Sequence, residues 1–253
     1  MSSLRDASAL LAAWEAAAGM SEVARAAALV AHDGAASMEQ VLDLPLAATA
    51  SLAIAAHVEA FGPLAEGICA CAECGESIDV LLDLRQFAEA AVAADAGVGH
   101  ETVTIGGGVG PLPVRALTTR DLLAAGGSPD SVLSLQRACV RDEAGRGMPA
   151  SEIAALHTDD VAALDAAAER LAGVASIVLR MRCPGCSEDI TASVDPGMLL
   201  WERVDAAAPL LLAEVAALAR AFGWSEEAVL GLSTARRRAY LALAEAPSRE
   251  TVS

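Results

Sequence analysis

The chain contains no lysine; its 17 cations are all arginine, against 34 carboxylates. A Walker-type phosphate loop needs a lysine, so that class of nucleotide site is absent. Histidine is scarce too: His32, His57, His100 and His157. None falls in a His-Glu-x-x-His pattern or beside a cysteine pair, and no Gly-x-Ser-x-Gly is present. Aromatics make up only 3 % of the residues, so the core must be built from Leu, Val, Ile and Ala. No apolar run reaches the ~18 residues needed to span a bilayer. The opening stretch carries Arg5, Asp6 and Glu15 and lacks a basic leader and a clean apolar centre. It reads as the first amphipathic helix of a cytoplasmic protein, not as a signal peptide.

The net charge is −17 and the sequence pI about 4.5. Nucleic acid and anionic lipid would repel such a surface. The charge serves solubility first, and a basic partner protein second. With 253 residues the chain can bury a real core in one large domain or two small ones.

Helical patterning dominates. Residues 1–65 read as helices broken at Gly19–Met20 and at His32–Ser37, ending at Gly62–Pro63. Residues 84–97 read as a further helix closed by glycine. The stretch ETVTIGGGVGPLPVRAL reads as two strands joined by a glycine-rich turn; no helix follows, so it is not a phosphate cradle. Thr118 or Thr119 then caps a helix, Pro129 opens the next, and Ser151 caps one after that. HTDD at 157–160 reads as a helix boundary, not as a metal site. From Pro196 onward the chain is nearly all helix, with residues 246–253 as a flexible tail. This amounts to about eight helices and five or six short strands. The order is α+β: mainly helical, around one small β module.

Six cysteines are present, and four form a repeat. CAECGESIDVLLD at 71–83 returns 112 positions later as CPGCSEDITASVD at 183–195. Alternating Ile78, Val80 and Leu82 mark a strand. Each phrase follows an apolar run and precedes a helix with a large apolar residue, Phe87 or Trp201. The repeated unit is strand, thiol turn, strand, helix. A Cys-x-x-Cys turn supplies half a tetrahedral site, so Cys71, Cys74, Cys183 and Cys186 are the expected ligands of one structural Zn²⁺. The geometry expected is a split zinc ribbon of two hairpins. The 108 residues between Cys74 and Cys183 form a long insertion, and closure entropy grows only logarithmically with such length. Redox and iron–sulfur readings of the pairs are the alternatives. Cys69 and Cys139 read as small buried hydrophobes, with Cys69 a rival ligand.

The C-terminal stretch ALARAFGWSEEAVLGLSTARRRAYLAL is the other distinctive segment. Ser225 and Ser233 each start a helix, with Glu226 and Glu227 suited to the dipole of the first. Arg236, Arg237 and Arg238 are expected to be exposed, with Tyr240 on the apolar side. A helical hairpin closing the fold is the plain reading. Trp224, the three arginines and Tyr240 also have the composition of a partner-binding surface, and the helix spacing allows a DNA-reading alternative.

Taken together, CAECGE, CPGCSE, PVRALTTRDLLAA and the C-terminal stretch resemble a family found with contractile phage-tail-like particles. The likeness spans roughly residues 50–243. Its members are baseplate proteins, or baseplate hub assembly chaperones of the T-even phage type. Ser187 departs from the family's pattern by standing where a glycine is usual, which strains the turn but removes no ligand. The resemblance implies a non-enzymatic assembly factor or minor component of a contractile injection system. Its partners would be baseplate or hub proteins, with no membrane, no nucleic acid and no small-molecule substrate. A zinc-stabilised DNA-binding regulator is the alternative function. The expected organisation is an N-terminal helical region at 1–65 and a split zinc-ribbon module at 66–200 with a helical insertion at about 118–172. A C-terminal helical segment at 201–245 and the tail complete it.

Overall fold

Four N-terminal helices form where capping groups and breaks dictate. α1 (Ala7–Ala18) starts at Asp6, whose Oδ1 accepts from the Ser8 and Ala9 N–H groups. α2 (Glu22–His32) follows the Gly19–Met20 break. α3 (Met38–Leu42) opens with a reciprocal capping box between Ser37 and Gln40. α4 (Leu46–Phe61) stops at Gly62, whose φ of 92° only glycine adopts readily. The computed structural model of the chain describes residues 3–34, 36–88, 99–106, 110–142 and 145–245.

β1 (Leu64–Ala70) and β2 (Ser77–Asp83) then pair as an antiparallel hairpin. β3 (His100–Ile105) and β4 (Gly110–Arg115) make a second hairpin. α5 (Thr119–Gly126), α6 (Ser131–Cys139), α7 (Ala150–Ile153) and α8 (Thr158–Ala172) follow. β5 (Ile177–Arg182) and β6 (Asp189–Val194) form a third hairpin. α9 (Pro196–Phe222), α10 (Glu226–Leu230) and α11 (Thr234–Glu245) close the described chain. The molecule is thus mainly helical with small antiparallel sheets. Where the sequence reading expected one small β module, the strands among the described residues form three separate two-stranded hairpins.

Among the described residues, the three largest buried clusters position the helices. The first joins α1, α2 and α4 to the start of α9 through Leu29, Val30, Ala53, Leu200 and Val204. Alanine lets the helices approach closely. At Gly197 even a Cβ would lie 2.4 Å from that of Ala26. Arg25 lies 4.7 Å from the Trp201 ring centroid, a cation–π contact that covers this junction. The second core belongs to the insertion: Val103, Ile105, Leu112 and Val114 of the middle hairpin pack against Cys139, Val140, Ile153 and Leu164. The middle hairpin is therefore packed with the insertion helices, not with the other two hairpins. The third core sets α1 against the rest of α9, α10 and α11 through Leu10, Leu11, Leu211, Leu218 and Val229. The base of the first hairpin rests on α4, with Ala65 and Leu84 against Ile54.

Most cap expectations hold. Thr118, not Thr119, caps α5, accepting from the Asp121 N–H while the Asp121 carboxylate accepts from the Thr118 N–H. Two differ. Pro129 precedes the N-cap Asp130 and so lies outside α6, because the chain turns once more before the helix begins. Pro149 occupies the N-cap of α7, leaving Ser151 inside the first turn. The helix expected at 84–97 lies partly outside the described residues, as do residues 107–109 of the glycine-rich loop and the whole of the tail.

Candidate metal centre

The two thiol turns fold alike. In the first, the Cys71 N–H donates to the Glu76 carbonyl at 2.9 Å and the Gly75 N–H to the Cys71 carbonyl at 2.9 Å. In the second, the Cys183 N–H donates to the Glu188 carbonyl at 2.8 Å and the Ser187 N–H to the Cys183 carbonyl at 2.9 Å. Each turn needs a left-handed residue at the fifth position: Gly75 at φ 73° and Ser187 at φ 63°. Ser187 is the one non-glycine described with positive φ, so the glycine-to-serine departure does carry backbone strain.

The hairpins bring both turns to one point. Cys71 Sγ lies 3.7 Å from Cys186 Sγ, and Cys74 Sγ lies 3.5 Å from Cys183 Sγ. All four sulfurs fall within 4.8 Å of one another. Close contacts cross from one hairpin to the other, so each pair interdigitates with its repeat. Cys71 and Cys183 are buried, with Ile190, Ile78 and Met181 around them, while Cys74 and Cys186 face solvent. Gly185 lies against the opposite knuckle: a Cβ there would sit 3.6 Å from Cys74 Sγ and from Glu76, in ordinary van der Waals contact.

Without a cation the thiols divide sharply. The Cys186 N–H, and behind it the Gly185 N–H, hold Cys183 down to about 7. For Cys186 the Glu188 N–H works downward, but the Cys74 and Cys183 sulfurs beside it outweigh this and push it up to about 12. Four sulfurs this close repel one another as thiolates. A bound divalent cation removes that conflict and deprotonates all of them. The cluster can therefore hold a metal ion.

Cys69 is half-buried and outside the four-sulfur group. Cys139 is buried in the insertion core, and burial raises its thiol pKa. His157 stands at the N-cap position of α8 without a side-chain capping bond, and Asp160 accepts from the Gly106 N–H at 2.9 Å, so HTDD is a helix start that anchors a turn.

The C-terminal patch is only partly as expected. Arg236 and Arg238 are exposed, but Arg237 is buried. Its guanidinium donates to Glu214 at 2.9 Å, to the Leu232 carbonyl at 2.7 Å and to Thr234 Oγ1 at 3.3 Å. It ties α11 to α9 and is not available to a partner. Trp224 and Tyr240 do lie together, edge to face at 4.8 Å between centroids. Phe222, which sequence reasoning passed over, stacks on Trp224 at 4.9 Å. Its signal was there: a large apolar residue at the polar end of α9, one residue before the glycine stop. Among the described residues, no helix is long and apolar enough to cross a membrane.

Comparisons of this chain with protein-family models, with curated proteins and with solved structures find no match.

Proposed function

We propose that this protein is a non-catalytic assembly scaffold whose two knuckle hairpins are held by one structural Zn²⁺. The observation that carries the reading is the convergence of Cys71, Cys74, Cys183 and Cys186 from repeats over a hundred residues apart. Tetrahedral Zn²⁺ with Zn–S bonds of ~2.3 Å separates its sulfurs by about 3.8 Å. The cross-hairpin separations of 3.5 and 3.7 Å lie close to that spacing. Four thiolates fill a tetrahedral site and leave no position for a reacting water, which favours a structural role over a catalytic one. The alternation of cysteines with Gly75, Ser187 and Gly185 fits a zinc ribbon whose strands are split by a folded insertion.

The particle role rests on likeness: the knuckles, PVRALTTRDLLAA and the C-terminal stretch favour a baseplate or hub assembly factor of a contractile injection system. The Phe222, Trp224 and Tyr240 cluster, flanked by Arg236 and Arg238, supplies a surface for its partner subunits. A DNA-reading role for α11 has less support. Arg237 is spent on Glu214, and two exposed arginines face a molecule of net charge −17.

Elemental analysis of the purified chain tests the metal, with one zinc per chain expected. Deletion in the native host tests the role: particles should fail to assemble or lose their baseplates. Normal particles, and absence of the protein from baseplate complexes at every stage, would remove the assembly reading while leaving the zinc site standing.

A further inference from the structure

The two knuckle hairpins repeat, so each is a reference for the other. The 112-residue offset maps β1–β2 onto β5–β6, and the ladders agree: Ile68 pairs with Asp79 as Arg180 pairs with Thr191, and Glu66 with Leu81 as Val178 with Ser193. In both hairpins these residues lie on the face opposite the one carrying Cys69 and Ile78, or Met181 and Ile190, which pack round the sulfurs. On the second hairpin the outer face is mostly polar, with exposed Arg180, Thr191 and Ser193. On the first, the same positions hold Ile68, 75 % exposed, and Leu81, 61 % exposed, with Leu64 beside them at 51 %. The sister hairpin folds with arginine and serine there, so the knuckle does not require these aliphatic side chains. A cluster of them left in water on a strand face marks a contact surface.

The charges on that face narrow the occupant. Glu66 lies opposite Leu81 and Asp79 opposite Ile68, so apolar and acidic groups alternate like a checkerboard. The sheet has only two strands, and neither β1 nor β2 has a further strand partner among the described residues. An added strand would find an open edge and, beside it, alternate apolar and acidic side chains. We infer that the outer face of β1–β2 docks an extended segment of another protein in which every second residue faces the sheet and these are apolar and basic in turn. A two-fold contact of this face with a second copy would gather Glu66 and Asp79 of both copies, four carboxylates, into one apolar contact. The chain's own residues 89–98, EAAVAADAGV, contain no cation to meet them. Nucleic acid and anionic lipid carry the wrong sign.

The test uses the full chain and a labelled peptide of repeated Val-Ser-Arg-Ser, which shows valine and arginine in turn on one face, followed by fluorescence anisotropy. A peptide of the same composition, with valines and arginines in two separate blocks, is the control for diffuse charge attraction. The alternating peptide should bind more tightly than the block peptide. The double variant I68S/L81S keeps the net charge and should bind about tenfold more weakly, the effect of losing about one buried aliphatic side chain. The variant E66Q/D79N should weaken binding and flatten its salt dependence. Equal affinity of I68S/L81S and the parent, or of the two peptides, would overturn the inference. So would self-association of the parent that R180S abolishes, since the occupant would then be the β5–β6 hairpin of another copy.

Discussion

Removing the metal should loosen the knuckles and leave the helices standing. Residues 71–76 and 183–188, twelve in all, are ordered around the sulfurs. Ordering them costs roughly 18 kcal/mol at about 1.5 kcal/mol per residue. Burial of Ile190, Cys71 and Cys183 returns about 4 kcal/mol. The four turn hydrogen bonds return about 4 kcal/mol more. The remaining deficit of about 10 kcal/mol matches what structural zinc supplies to small domains. Isolated two-stranded hairpins are marginal without such help. The helical cores do not share this dependence, because Leu200 and Val204 fix α9 to α2 and α4 directly. The assay is hydrogen exchange by mass spectrometry, before and after chelation verified by elemental analysis. Protection should vanish over the two knuckles and the adjoining halves of their hairpins, while α1, α2, α4 and α9 keep theirs. Unchanged protection at the knuckles in a verified metal-free sample would refute the reasoning, and so would simultaneous unfolding of the helices.

Three further outcomes are expected. Arg237→Ala should destabilise the chain by about 2–3 kcal/mol in urea unfolding, because it leaves Glu214 and the Leu232 carbonyl without their donor; Arg236→Ala should change little. Burial holds the His57 pKa below its ordinary 6.5, outweighing the hydrogen bond to the Gly62 carbonyl that acts the other way. Its contribution is therefore full above pH 6.5 and is lost as pH falls through the lower folded value. The parent should lose stability as pH falls below about 6.5 relative to His57→Gln, starting above the range of carboxylates such as Asp121, held below 3.8; identical pH profiles would contradict this. Ser187→Gly relieves the left-handed strain at φ 63°. Part of that gain is offset by the freer unfolded chain, leaving about twofold tighter metal binding in competition with a chromophoric chelator; weaker binding would count against the strain argument.

The sequence by itself determined what is local. A Cys-x-x-Cys turn closes on its own backbone bonds, so both knuckles could be read from spacing. Thr118 and Ser225 could be read as caps because a cap bonds within three residues of itself. Convergence was legible only because the phrase occurs twice. Which arginine of 236–238 is buried was not, since that choice depends on Glu214, far along the chain on another helix. The middle hairpin's place in the insertion was hidden for the same reason: Val103 and Val114 find their partners at Cys139 to Ala167. Alternation reports that a strand has two faces, but only packing decides which face meets a core. The repeat therefore announced a pair of hairpins, and tertiary contacts alone decided that one exposes arginine and serine where the other exposes isoleucine and leucine.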